Sequence, residues 1–211
     1  LFFLIASQLP DLLWFFFHYL GLEVTKPDDF LDLNLQTLHV DMSYSHDLLP
    51  IFGWMVVLYA VGKVGFKSSS IGLTAALLHF LHIFVDYAAG LPHFVFGSDS
   101  LSVGFPLYHT APYLSKVFEA LFSAALLYYF FRQENKMNVV RTIGNKVAIA
   151  GLFVFNIILV LCVANNSLRG VFNIPEFDFI LTPAVPSMII SYGAMAYYLY
   201  YFVIKIETAE R

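Results

Sequence analysis

The segment "HFLHIFVDYAAGLPHF" (79–94) is mostly Phe, Leu, Ile, Val and Ala, yet it carries His79, His82, Asp86 and His93. A helix turns about 100° per residue, so positions i, i+3 and i+7 share a face. His79, His82 and Asp86 have that spacing. Asp11 and His18 are seven apart and share a face of their own, and His46 opens another apolar run. Ionisable groups in an apolar helix are costly and usually face a bundle interior, paired or ligated. Neutral imidazole and carboxylate suit a divalent metal such as zinc, iron or manganese. A His/Asp set left one ligand short holds an activated water. The expected metal set is Asp11, His46, His82 and Asp86, with zinc the expected ion. His18, His79, His93 and His109 are further candidate ligands, and no catalytic side chain is singled out.

Each of these residues also has a plainer reading. His79 can pack between helices and hydrogen-bond across them. His82 and Asp86 can form a simple i,i+4 pair. Asp11 follows Pro10 and can mark a helix distortion. In "SYSHDLL", Ser45 suits an N-cap and Asp47 the first helical turn, which leaves His46 incidental. His93 and His109 fall in a loop and can be solvated or structural.

The elements that must position these residues are membrane helices. Of 211 residues, 59% are hydrophobic and only 12% charged, and the mean hydropathy is +0.73. Soluble domains carry about a quarter charged residues. A spanning helix needs roughly 20 apolar residues. Six stretches approach that length: 1–20, 47–63, 71–89, 115–131, 147–164 and 180–204. The expected fold is an all-α polytopic membrane bundle of about six helices, one domain over 1–211. Residues 1–131 form its motif-bearing half and 132–211 add further helices. The aromatic runs "WFFFHY", "LLYYFF" and "YYLYYF" read as lipid-facing or interfacial belts. Cys162 is the single cysteine, so no intrachain disulfide or multi-cysteine metal site can form. The chain opens at Leu1 without Met, so part of the first helix is expected to be missing.

Charge sets an expected orientation. The Lys63/Lys67 turn, the Arg132–Lys146 loop and the C-terminal tail together hold eight of the eleven Lys and Arg residues. Placing them on one side satisfies the positive-inside rule, with both termini cytoplasmic and the acidic loop 21–46 outside. All seven histidines precede residue 110 and gather toward the outer end. The formal net charge of -4 and the lack of a basic patch exclude nucleic acid as an expected partner.

Three pieces in this order, "SQLPDLLW" (7–14), "DMSYSHDLL" (41–49) and "HFLHIFVDYAAGLPHF", resemble the YdjM-like inner-membrane metal-dependent hydrolase family. That family has an LPD motif near its start, a T/S-H-S/x-L motif opening a helix and an S-H-x-x-x-D motif in a later one. It is distantly similar to zinc-dependent phospholipase C. The resemblance implies that Asp11 is the LPD carboxylate, His46 the central histidine and His82 with Asp86 the late pair. "SVGFPLYHTAP" (102–112) resembles a glycine-containing loop of the same proteins. The resemblance covers about residues 7–130. Leu13 and Trp14 stand where an acid and a His often follow LPD, Asp47 follows the central His, and Leu81 precedes the late one.

Two functions follow as expectations. One is a metal-dependent membrane hydrolase of a phosphoester or lipid-like substrate at the outer face of a bacterial inner membrane, with membrane lipid as partner. The other is a non-catalytic integral subunit or assembly factor of a larger membrane complex, which the departures from the motifs and the His-free second half favour.

Overall fold

Within a bilayer each backbone N–H and C=O must be satisfied inside its own segment, so long apolar runs become helices. A computed structural model describes residues 1–177 and 183–205. Its helices are α1 (Phe2–Tyr19), α2 (Leu48–Gly65), α3 (Ser69–Ala89), α4 (Leu107–Thr110), α5 (Pro112–Lys136), α6 (Ile143–Cys162), α7 (Leu168–Phe172) and α8 (Ala184–Leu199). A π-helical turn, Tyr200–Lys205, continues α8. The chain is an all-α membrane bundle. Among the described residues, five helices are long and apolar enough to span: α2, α3, α5, α6 and α8 with its π turn. The sixth expected span, α1, has 18 residues, but Gln8, Asp11 and His18 dilute its hydropathy. The expected start of the last span, residue 180, and the tail residue Arg211 lie outside the described residues.

The helices form two compact units, Leu1–Pro27 with Gln36–Ala111, and Asp28–Leu35 with Pro112–Arg211. In the first, Ala6 of α1, Leu58 of α2 and Ala75 of α3 make a core flanked by Phe2 and Leu9. Gly62 and Gly72 let α2 and α3 meet backbone to backbone. A Cβ on Gly62 would stand 2.2 Å from Gly72 Cα, and one on Gly72 would stand 2.4 Å from the Tyr59 carbonyl oxygen. Small residues are how membrane helices come this close. Ser68 caps α3 by accepting from Ile71 N.

Two short hairpins complete this unit. β1 (Thr25–Lys26) pairs with β2 (His39–Val40), and β3 (His93–Phe94) with β4 (Ser102–Val103), both antiparallel. The buried Asp47 carboxylate accepts from Phe94 N and Gly97 N, so it pins the second hairpin to the head of α2. His109 Nε2 meets the Leu38 carbonyl at 2.8 Å, tying α4 to the chain before β2.

The second unit is held by ion pairs. Arg141 grips Glu134 through two bonds of 2.6 and 2.7 Å and donates to the carbonyls of Phe202 and Val203 in the π turn. α5 therefore runs to Lys136, past its expected end at 131. Arg169 forks to Asp29 and Asp32. That anchors a 3-10 turn, Phe30–Asp32, beside α7.

Candidate metal centre

The first unit brings Asp11, His46, His82 and Asp86 together. Asp11 lies on the buried stripe of α1 with Ala6, Pro10, Trp14 and Phe15. His82 and Asp86 stand one turn apart on α3, beside the stripe of Ala75, Ala76, His79 and Ile83. His46 precedes α2, and its carbonyl accepts from the Tyr87 hydroxyl at 2.9 Å. His46 Nε2 is 3.5 Å from Asp11 Oδ1 and 3.9 Å from Asp86 Oδ2. His82 Nε2 is 3.4 Å from Asp11 Oδ2 and 3.3 Å from Asp86 Oδ2. Ligand atoms of Asp11, His46 and His82 all lie within 4.8 Å of one another.

These distances discriminate. A charge-assisted hydrogen bond brings N and O to about 2.7–2.9 Å. Four atoms around a tetrahedral ion with bonds of about 2.0–2.2 Å stand about 3.3–3.6 Å apart. The four separations run from 3.3 to 3.9 Å, longer than such a hydrogen bond, with His46 facing one Asp11 oxygen and His82 the other. Asp86 Oδ2 is buried and makes no hydrogen bond. Asp11, His46 and His82 are donors of the kind that divalent cations take, and their ligand atoms lie close enough together to share one.

The other histidines are placed differently. His93 is buried against the cluster, its ring stacked on His46 at 5.8 Å and on Tyr87 at 4.8 Å. Its two ring nitrogens have no hydrogen-bond partner, and burial with His46 nearby pushes its pKa down to about 3, which keeps it neutral. His79 is fully buried on α3, with the Ala6 carbonyl nearby but short of hydrogen-bond geometry. His79, His18 and also Asp86 are outside the trio whose ligand atoms all converge within 4.8 Å, although Asp86 stands near both His46 and His82. His109 is engaged with the Leu38 carbonyl.

Two residues that carry the site were not read as such from the sequence. Glu23, with no exposed surface, accepts from Tyr44 N at 2.8 Å and Ser45 N at 2.9 Å. Ser45 Oγ lies 3.1 and 2.9 Å from the two Glu23 oxygens and 2.8 Å from His46 Nδ1. The expected N-cap role of Ser45 is corrected here. Asp47 occupies the N-cap position with extended backbone and no side-chain cap bond, while Ser45 faces inward to Glu23. Burial raises the Glu23 and Asp47 carboxyls, and the N–H bonds to each oppose the rise.

No family model, curated protein or solved structure matched this chain in comparison.

Proposed function

We propose that this chain is a metal-dependent hydrolase of the bacterial inner membrane, acting at the outer face on a phosphoester of a lipid-like substrate. The observation that carries this reading is the set of four His–Asp separations between 3.3 and 3.9 Å. Asp11, His46, His82 and Asp86 would hold the metal, with zinc the ion best suited to them. A bound zinc would supply Lewis acidity, drawing charge from a phosphoryl oxygen and activating a water that takes the place of one of these four ligands. The chain's own residues do the rest. Asp11 and Asp86 bring two negative charges that favour a cation over the two imidazoles alone. Asp86, with its side chain 31% exposed, and His82, at 16%, mark the open side of the site. Neutral His93, buried and stacked on His46, backs that ring from the closed side of the site.

A shallow, open apolar depression lined by Phe17, Tyr44, Pro50, Gly53, Trp54 and Val57 is compatible with a lipid-like substrate, although it includes none of the four proposed ligands. An acyl chain is the ligand chemistry that suits it. Tyr44 stands two residues before His46 in the chain. The motif resemblance and the Lys/Arg distribution support the membrane assignment and the cytoplasmic termini.

The test is phosphoester hydrolysis by the protein in lipid nanodiscs with Zn²⁺ or Mn²⁺, beside His82→Ala. Metal-dependent turnover that His82→Ala abolishes is expected. No turnover in the wild type, together with loss of a co-purifying membrane complex in His82→Ala, would establish the subunit reading instead.

A further inference from the structure

The buried chain of atoms Glu23–Ser45–His46 can be filled with protons in few ways. Glu23 Oε1 already accepts two backbone N–H groups, an arrangement that suits a carboxylate. Ser45 has one hydroxyl proton and lies 2.9 Å from Glu23 Oε2 and 2.8 Å from His46 Nδ1. If that proton goes to the carboxylate, the Ser45 oxygen is left to accept, and only a proton on His46 Nδ1 can supply the bond. Nε2 then presents a lone pair, and Nε2 is the atom that stands 3.5 Å from Asp11 and 3.9 Å from Asp86.

We propose that Glu23 and Ser45 are positioning residues that fix His46 with its proton on Nδ1 and so present Nε2 as the metal-binding atom. This rests on the metal reading above and adds residues to it. The carboxylate acts through a hydroxyl instead of bonding the imidazole directly, which suits its origin in the loop between α1 and α2. Metal-bound histidines generally donate their second N–H to an outer acceptor that sets tautomer and ring orientation. Here the acceptor is itself oriented. Glu23 takes N–H bonds from Tyr44 and Ser45, so the backbone that carries the hydroxyl is held by the group that receives its proton.

Glu23→Gln is the discriminating variant because it preserves size. The two backbone N–H groups require the amide oxygen at the Oε1 place, which leaves the amide NH₂ at the Oε2 place. That NH₂ donates to Ser45 Oγ and removes the closer acceptor of the hydroxyl proton, leaving only the 3.1 Å contact with the already doubly bonded Oε1 place, so the hydroxyl proton is expected to turn to Nδ1 and the imidazole proton to move to Nε2. Co²⁺ or Zn²⁺ affinity of the full chain in nanodiscs is expected to fall about 10–100-fold in Glu23→Gln and in Ser45→Ala. Ser45→Thr, which keeps the hydroxyl, should bind like the wild type. Nitrogen NMR of histidine-labelled, metal-free protein should find a proton on His46 Nδ1 in the wild type and none there in Glu23→Gln. Equal affinity in wild type, Glu23→Gln and Ser45→Ala would overturn the proposal, as would a melting temperature that falls while affinity and His46 protonation stay constant. If the wild type binds no metal, the metal reading fails, and the NMR comparison still decides whether the relay sets the His46 proton.

Discussion

Asp86 is the most informative single ligand to change, because its Oδ2 faces His46 and His82 and has no hydrogen-bond partner among the described residues. Asp86→Asn removes a charge and keeps the size. The loss of Zn²⁺ affinity, read by competition with a chromophoric chelator, should exceed the roughly 10–100-fold typical of an outer partner. The metal-free melting temperature should stay near the wild type's. Unchanged affinity would remove Asp86 from the ligand set. Asp47 is expected to behave oppositely. It holds two N–H groups of the β3–β4 hairpin and is buried. Hydrogen bonds to a charged group are worth about 1.5–3 kcal/mol each, so Asp47→Ala should cost on the order of 3 kcal/mol by denaturant titration. Asp47→Asn, which keeps one acceptor, should cost less; an equal cost would mean that bulk and not bonding matters there. At this scale the sequence was legible wherever chemistry contradicted its surroundings. An Asp or His inside an apolar run is visible at once, which is why Asp11, His82 and Asp86 stood out. Glu23 was not visible, because it reads as one more acid of a polar loop, 22 residues from Ser45. Ser45 was misread because a Ser just ahead of an apolar run looks like a cap, and only the fold reveals that it faces Glu23.

The three long helices of the first unit hold the site through two junctions, the Ala6–Leu58–Ala75 core and the Gly62–Gly72 crossing. His46 rides at the head of α2 while His82 and Asp86 ride on α3, so separating these helices must also separate ligands. Gly72→Ala places a methyl 2.4 Å from the Tyr59 carbonyl oxygen, a backbone atom that cannot swing aside. Overpacking of this kind costs typically about 1–3 kcal/mol. Gly72→Ala should therefore lower the melting temperature and weaken Zn²⁺ binding together, although no ligand is touched. Gly53→Ala, on the same pair of helices but facing open space, is the control and should do neither. Normal metal affinity in a destabilised Gly72→Ala protein would show that the crossing does not set the ligand geometry. Span positions were legible because length and apolarity are nearly sufficient in a bilayer. α5 outran its expected end because Glu134, a polar residue that reads as loop, is paired with Arg141 inside the fold. The two-residue strands of the hairpins left no periodic signal to read.

At the scale of the whole molecule, the open question is which face of the membrane the centre serves. The Lys63/Lys67 turn, the 132–146 segment and the tail hold eight of eleven cationic residues. Such a bias is read by the insertion machinery from short loops, where the rule acts most strongly. α2 and α3 are joined by Lys67 in a left-handed conformation at a tight turn, so the two helices must reverse direction there. Their opposite ends carry His46 and the His82–Asp86 pair. If the Lys63/Lys67 turn is cytoplasmic, the Asp11–His46–His82–Asp86 cluster belongs to the outer half of the membrane, and the substrate proposed above would be an envelope lipid or headgroup and not a cytoplasmic nucleotide. Single cysteines placed at Lys67, Ser98 and Val140, in a chain whose exposed Cys162 is first replaced by Ser, test this directly. An impermeant maleimide added to intact cells should label Ser98→Cys alone. Lys67→Cys and Val140→Cys should react only after the membrane is opened. Labelling of Lys67→Cys from outside would invert the orientation and move the centre, with its substrate, to the cytoplasmic leaflet. Labelling of Lys67→Cys and Val140→Cys from opposite sides would overturn the path of the chain through α3 and α5, whatever the metal site does.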